Sequence, residues 1–272
     1  MKKLSIFITI LFLVSFALSA FPVSASSESL NNDIIFTEPY IPYENNNSRS
    51  IISGSDWESD VDETAFPYRA IADLDITFSC GGTSHGTGFL ISKNCMLTAG
   101  HCLVCNDCGA DATQVICTFG RQSANSYWYC IVATPDDEVF YHHPSYTGSQ
   151  MNYDYGYIVF NLNVGNSLGW FGIAALNDTS LTSQDITVSG YKDQIIYTAN
   201  GSVTSVTSTR ISHSASTKAG QSGSPIYGSS GTYQNYAFGI HTHGTSPSVP
   251  YNSGWRITSS FISELRGLGY VS

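Results

Sequence analysis

Three short motifs, far apart in the sequence, restrict what this chain can fold into. They are Thr98-Ala-Gly-His-Cys102, Tyr153-Asp-Tyr-Gly156 and Ala219-Gly-Gln-Ser-Gly-Ser-Pro225, in that order. Apolar runs typical of strands adjoin the first two, at Gly88-Phe-Leu-Ile91 and Tyr157-Ile-Val-Phe160. Each motif alone is common in a chain rich in Ser and Gly. Together, in this order and beside strands, they indicate a fold that brings one His, one Asp and one Ser to a common point.

The three motifs predict a catalytic triad of His101, Asp154 and Ser222. A serine hydroxyl is a poor nucleophile at neutral pH, so it needs an imidazole to take its proton and a carboxylate to hold that imidazole in the right tautomer. A glycine two residues before the serine allows a tight turn that aims two backbone N–H groups at one point. We therefore expect the N–H groups of Gly220 and Ser222 to form an oxyanion hole.

The order of the triad residues and the composition predict an all-β fold. His, then Asp, then Ser is the order of chymotrypsin-like proteins, whereas α/β-hydrolases and subtilisins use other orders. Short apolar runs alternate with polar clusters, and charged residues are 12% of the chain against about 25% in typical domains. This pattern is typical of short strands joined by polar turns. We expect two six-stranded antiparallel β-barrels of the chymotrypsin-like type.

A short helix is expected at the C-terminal end. Its apolar residues share one face at the helical period and are Phe261, Ile262, Leu265 and Leu268. Ser259 or Ser260 is suited to cap its first turn, and Gly267 or Gly269 to end it.

The N-terminal region divides into a signal peptide and a propeptide. Residues 1–25 combine Met1-Lys-Lys3, an apolar run from Ile6 to Leu18 and the small-residue cleavage site Val23-Ser-Ala25, which predicts a secretory signal. Residues 26–49 are polar with little periodicity, which indicates a propeptide. The mature protein is then a secreted, monomeric protease-like domain over residues 50–272.

The cysteines indicate disulfide bonds, because this expected exported chain has seven of them, all between Cys80 and Cys130. An odd number leaves at least one unpaired or shared with a partner. Cys80 and Cys102 are the best pair, since a bridge there would fix the loop that carries the histidine. Cys102, Cys105 and Cys108 have the spacing of a thiolate knuckle, but no second ligand pair of the usual form follows. We expect a disulfide-stapled loop there, with no metal and no cofactor.

From about residue 50 to its C-terminus the chain resembles the bacterial glutamyl endopeptidases of chymotrypsin-like fold. Beyond the three motifs, the segments that carry the resemblance are Phe66-Pro-Tyr-Arg-Ala-Ile71, Asn152-Tyr-Asp-Tyr-Gly156, Val164-Gly-Asn166, Ser189-Gly-Tyr191 and His241-Thr242. The resemblance implies cleavage after Glu, and less well after Asp, with Thr217 and His241 in the substrate pocket. Two loops depart from the family, at Lys192-Asp-Gln194 and from Cys105 to Cys117.

Residues near the nucleophile independently favour an acidic substrate side chain. A preference for Lys or Arg needs a carboxylate about six residues before the serine, where this chain has Ser216. An aromatic side chain would leave Thr217 and His241 partly unpaired, whereas a carboxylate gains hydrogen bonds from both. The structural alternative for His241 is a core histidine satisfied by the backbone.

Maturation is expected to need a second protease that cuts after Arg49. This is the only basic residue between Lys3 and Arg69, and an enzyme that prefers acidic residues cannot make that cut itself. Trypsin-type enzymes pair the freed amino terminus with an Asp just before the nucleophile, where this chain has Gln221. The resemblance implies instead that the α-ammonium of Ser50 helps to bind the substrate carboxylate.

Charge and hydropathy limit the partners. The formal net charge of −10 at pH 7 disfavours nucleic acids, and no run after the signal is long enough to predict a membrane span. The expected partners are proteins or peptides with acidic residues. Two alternatives remain open, namely a chymotrypsin-like protease of broader specificity and a secreted binding module that keeps the fold without useful turnover.

Overall fold

A computed structural model describes residues 35–42, 61–245 and 251–272 of the 272-residue chain. The predicted signal peptide, both predicted domain boundaries and Ser50 lie outside the described residues. Within the described residues, no helix combines the length and the apolar character needed to cross a bilayer.

The described residues form fifteen strands, most of them four to eight residues long. In chain order they are β1 Ile35–Thr37, β2 Ile71–Phe78, β3 Thr83–Leu90, β4 Cys95–Thr98, β5 Ala112–Phe119, β6 Tyr129–Ala133, β7 Val139–His142, β8 Gly156–Val159, β9 Gly172–Ala175, β10 Asp185–Lys192, β11 Ile195–Val206, β12 Arg210–His213, β13 Pro225–Gly228, β14 Tyr236–His243 and β15 Asn252–Arg256.

The strands form two sheets. The N-terminal sheet has the order β6-β5-β2-β3-β4-β8-β7, with every pairing antiparallel. The C-terminal sheet has the order β1-β9-β14-β13-β10-β11-β12-β15, and an added pairing of β14 with β15 closes six of its strands into a ring. The predicted all-β, two-barrel architecture is confirmed. In the described residues the N-terminal half is a seven-stranded sheet without such a closing pair.

Three short helices complete the fold, α1 Gly165–Leu168, α2 Asp178–Thr182 and α3 Ser259–Gly267. The C-terminal helix was expected, but two details differ. Thr258 caps it, since its Oγ1 accepts the backbone N–H of Phe261 at 3.3 Å. Leu268 is 50% exposed, because the helix ends before it and Gly269 follows with a φ of +75°.

The segment predicted as a propeptide contains structure that its composition did not reveal. Ile35–Thr37 pairs antiparallel with β9, so it extends the C-terminal sheet by one edge strand. Trp170 stacks on Tyr40, with ring centroids 4.4 Å apart, and donates its indole N–H to the carbonyl of Glu38 at 3.2 Å. Residues 35–42 therefore lie against β9 and Trp170 instead of forming only a polar linker.

Candidate active site

Two neighbouring strands of the N-terminal sheet bring the predicted histidine and aspartate together. The antiparallel register of β4 and β8 pairs Thr98 with Gly156. His101 lies in a 3₁₀ turn just after β4, and Asp154 lies just before β8. Because paired antiparallel strands place the end of one beside the start of the other, residues 53 apart in sequence meet.

The contact between these two side chains has the geometry that orients a catalytic imidazole. Nδ1 of His101 lies 2.8 Å from Oδ2 and 3.1 Å from Oδ1 of Asp154. The backbone N–H of His101 also donates to Oδ1 of Asp154, at 2.9 Å. Asp154 is fully buried, whereas the imidazole of His101 keeps 18% of its surface exposed. The carboxylate therefore fixes the ring, and the opposite ring edge can remain available to a reactant.

Two glycines shape the loop that carries the predicted nucleophile. Gly220 and Gly223 have φ values of +101° and +93°, a region that side chains with a Cβ rarely adopt. A Cβ on Gly223 would also lie 1.9 Å from the carbonyl oxygen of Thr87. The serine between them, Ser222, is partly exposed. The Ala219–Pro225 motif thus folds as a tight turn that only glycine permits at these two positions.

Strand β3 holds this turn against the N-terminal sheet through Thr87. Its backbone N–H donates to the carbonyl of Ser222 at 2.7 Å, and its Oγ1 donates to the carbonyl of Gly220 at 3.4 Å. The same oxygen accepts the backbone N–H of Tyr191 at 2.9 Å. The sequence reasoning missed this positioning residue, because its role depends on contacts more than 100 residues away.

The backbone around Ser222 leaves two donors for a ligand. The N–H of Gly223 is used within the fold, since it donates to the carbonyl of His241 at 2.7 Å. The N–H groups of Gly220 and Ser222 have no hydrogen-bond acceptor among residues 35–42, 61–245 and 251–272. These are the two donors that the sequence predicted for an oxyanion hole.

The predicted pocket histidine is buried and faces a second histidine. His241 on β14 is 3% exposed, and its Nδ1 lies 3.3 Å from Nε2 of His213 on β12. Burial lowers the pKa of His213 to about 4 and that of His241 well below its usual value, with the neighbouring histidine as a further cause for His241. Both rings are therefore neutral near pH 7. Thr217 lies in the loop between β12 and the nucleophile and is partly exposed.

A third histidine borders the Asp154 carboxylate. Nδ1 of His243 lies 3.9 Å from Oδ2 of Asp154 and 2.7 Å from Oγ1 of Thr242. Burial lowers the pKa of His243. Sequence reasoning singled out neither His243 nor His213. The signal that could have found them is the placement of histidines on β12 and β14, which both pair with β15, and this requires the sheet register.

Gln221 is buried and fully engaged by the backbone. Its Oε1 accepts the N–H of Lys218 at 2.8 Å, and its Nε2 donates to the carbonyls of Tyr197 at 3.1 Å and Gly190 at 3.3 Å. A neutral amide thus occupies the position before the nucleophile. The described residues satisfy it without any charged terminus.

The predicted disulfide between Cys80 and Cys102 is not formed in this structure, in which all seven cysteines, all within the described residues, are unpaired. Cys102 is buried, and its Sγ donates to the carbonyl of Ser222 at 3.7 Å. Burial raises the pKa of this thiol to about 12, so it stays protonated. Cys80 instead lies beside Cys105 and Cys108. The three cysteines that come together are therefore Cys80, Cys105 and Cys108, and not the predicted group of Cys102, Cys105 and Cys108.

Comparison with known proteins finds relatives among peptidases. The family model described as a trypsin-like peptidase domain matches residues 86–233. An extracellular metalloprotease of Bacillus subtilis is 32% identical over 224 residues, which cover 80% of this chain and 69% of that protein. A glutamyl endopeptidase of Bacillus licheniformis is 31% identical over 226 residues, which cover 80% of this chain and 68% of that protein.

Solved structures give the same fold. A Glu endopeptidase in complex with MPD has a TM-score of 0.63 and 24% identity, and the match covers 81% of this chain and 99% of that one. The protease Anisep from Arthrobacter nicotinovorans has a TM-score of 0.59 and 18% identity, covering 73% and 94% of the two chains. An inactivated protease paralogue of the scabies mite has a TM-score of 0.59 and 14% identity, covering 76% and 96%. At such identities these matches establish the fold and not the specificity.

Proposed function

Since this chain belongs to the trypsin-like peptidase family, as a chymotrypsin-like serine peptidase of the glutamyl endopeptidase type, we propose that it is a secreted endopeptidase that cleaves after Glu, and less well after Asp. Its substrates are proteins and peptides that contain acidic residues. The observation that carries the specificity is the buried, uncharged pair of His241 and His213 beside the nucleophile turn.

The reaction proceeds through an acyl-enzyme. Oγ of Ser222 attacks the scissile carbonyl while Nε2 of His101 takes its proton, and the buried carboxylate of Asp154 stabilises the imidazolium. The N–H groups of Gly220 and Ser222 hold the oxyanion. His101 then gives the proton to the leaving amine, and the bond between the carbonyl carbon and that amine breaks. Water repeats the attack and releases the acid product and the free serine.

The pocket binds a carboxylate better than other side chains for a physical reason. When the pocket is empty, the buried imidazole is stable in its neutral form. When an anionic side chain enters, the imidazole can take up a proton and form a charge-assisted hydrogen bond with that anion. The second ring, His213, orients His241 from behind, and the hydroxyl of Thr217 supplies a further donor. Ser216 leaves a Lys or Arg side chain without a counter-charge.

The test is to digest a denatured protein and read by mass spectrometry the residue before each cut. Cuts after Glu, with fewer after Asp, are expected. His241→Ala should lower kcat/KM for a Glu peptide by about 10- to 150-fold, the value of one charge-assisted hydrogen bond. The matched Gln peptide should lose much less. Equal losses on the two peptides would show that His241 is a core residue only.

The alternatives give different outcomes in the same preparation. An organophosphorus reagent should label Ser222, and Ser222→Ala should abolish both label and cleavage. Cuts after many residue types would indicate a protease of broader specificity. A folded protein that takes no label and cleaves nothing would be a binding module. Inhibition by a chelator without labelling would indicate the metal-dependent chemistry named for the Bacillus subtilis relative.

Maturation by a second protease after Arg49 follows from this specificity. The cut frees the α-amino group of Ser50, and because α-amino groups are ordinarily protonated at neutral pH, it is available to the substrate carboxylate as a cation. Enzyme that begins at Ser50 should cleave a Glu peptide with a higher kcat/KM than enzyme with one extra Gly before it. The same kcat/KM for both forms would exclude the amino group from the pocket.

A further inference from the structure

Three cysteines that the proposed reaction does not use converge at one end of the N-terminal sheet. Cys80 lies in the turn between β2 and β3, whereas Cys105 and Cys108 lie in the loop that follows His101. Their three Sγ atoms all lie within 4.8 Å of one another. Cys80 and Cys108 are exposed and Cys105 is partly exposed. In the part of the chain that the structure describes, no other group of three or more His, Cys, Asp or Glu side chains is placed to hold an ion.

The loop around the second and third cysteines is a tight turn held by its own backbone hydrogen bonds. It reads Cys105-Asn-Asp-Cys108-Gly109, and the glycine has a φ of +70°. The N–H of Gly109 donates to the carbonyl of Cys105 at 2.8 Å, and the N–H of Cys105 donates to the carbonyl of Ala110 at 2.8 Å.

We propose that Cys80, Cys105 and Cys108 bind one Zn²⁺ ion as thiolates, with a fourth position open to water. Zinc prefers tetrahedral thiolate sites with Zn–S distances of about 2.3 Å. Sulfurs bound to one ion at that distance are closer to one another than the limit observed for these three Sγ atoms, so the cluster can hold the ion with little movement. A disulfide would use two of the three sulfurs and leave the third exposed in an oxidising medium. On binding, the three thiols release their protons to solvent and the ion gives up water. No electron is transferred.

The ion has a structural role, because it joins the β2–β3 turn to the loop that follows the catalytic histidine. It would tie the β2–β3 turn to the loop between His101 and β5. That loop also contacts the segment before Asp154, since the hydroxyl of Tyr146 donates to Oδ1 of Asn106 at 2.7 Å. A bound ion would therefore restrain both neighbours of the His101–Asp154 pair without contacting the substrate.

The experiment uses the full chain with Ser222→Ala, so that it does not digest itself. Elemental analysis of protein prepared with Zn²⁺ should give about one zinc per chain. Co²⁺ in its place should give a strong thiolate-to-metal charge-transfer band in the near ultraviolet. Cys80→Ser should greatly weaken the band and lower the Tm towards that of the chelated protein. Cys130→Ser is the matched control, because Cys130 is also exposed but lies on β6, and it should change neither.

A second measurement keeps the proposal testable if Cys80→Ser fails to fold. In the unsubstituted chain, zinc should protect Cys80, Cys105 and Cys108 from alkylation until a chelator is added, whereas Cys130 should react in both conditions. A non-reducing peptide map that links Cys80 to Cys105 or Cys108 would overturn the proposal in favour of a disulfide. Chains that bind neither zinc nor cobalt, with all three thiols freely alkylated, would also overturn it.

Discussion

Replacing His213 by Leu should remove the share of this fold's acid sensitivity that His213 contributes. His213 is fully buried, and burial lowers its pKa from 6.5 to about 4. A histidine whose pKa is depressed by folding contributes stability above its unfolded pKa, and that contribution is lost as the pH falls from about 6.5 towards about 4. Leucine has a similar volume and does not titrate.

The magnitude follows from the pKa. In this pH window the unfolded chain binds one proton that the folded chain does not bind. Each unit by which the pH falls therefore lowers the free energy of unfolding by about 1.4 kcal/mol. Since the pKa falls from 6.5 to about 4, the full loss is about 3 kcal/mol. This is a large share of the stability of an ordinary domain.

The assay is urea unfolding from about pH 7.5 to about pH 4.5, in a Ser222→Ala background that prevents self-digestion. His241, whose pKa is also lowered, is present in both proteins, so its effect largely cancels in the difference. We expect the Leu variant to be less affected by acid, with the gap between the two proteins closing or reversing as the pH falls. A constant gap across the range would refute the reasoning, because it would mean that His213 is not held neutral by the fold.

Three further perturbations test other parts of the structure. Asp154→Asn should lower kcat by about 10⁴ while leaving the Tm nearly unchanged, since an amide favours the wrong imidazole tautomer; a loss below tenfold in steady-state assays would contradict this. Gly223→Ala should cost at least about 2 kcal/mol in urea unfolding, because its φ is +93° and the new Cβ would meet Thr87; a neutral substitution would contradict the observed turn. After a cut following Arg49, the fragment that contains residues 35–42 should remain bound in native mass spectrometry, because it pairs with β9; its complete loss would show that the pairing needs the covalent link.

The sequence predicted the fold class and the His101–Asp154 contact because these depend on local signals. Short apolar runs between polar turns indicate strands whatever their partners are. The catalytic motifs require particular residue types in a particular order, and that order is visible without coordinates. The tight turn at the glycines beside Ser222 could also be predicted from the sequence, since left-handed backbone conformations favour glycine.

Other features could not be read from the chain, and the cysteines show why. Spacing alone grouped Cys102 with Cys105 and Cys108, but the 3₁₀ turn after β4 directs Cys102 inward towards Ser222. The β2–β3 turn brings Cys80 to the other two instead. The capping residue Thr258 and the edge strand at residues 35–37 were missed for the same kind of reason, because each depends on a neighbour fixed elsewhere.

The sequence by itself therefore determined the chemical groups of this protein and the strand pattern that carries them. Only the tertiary structure decided which groups meet, including the pairing of His213 with His241 across the C-terminal barrel and the convergence of three thiols beside the catalytic loop. The physical reason is that the neighbours of a strand residue are set by the hydrogen-bond register between strands, and a shift of one residue would turn each of the two histidines to the opposite face. The thiols meet because the same register fixes where the turn and the loop that carry them begin and end.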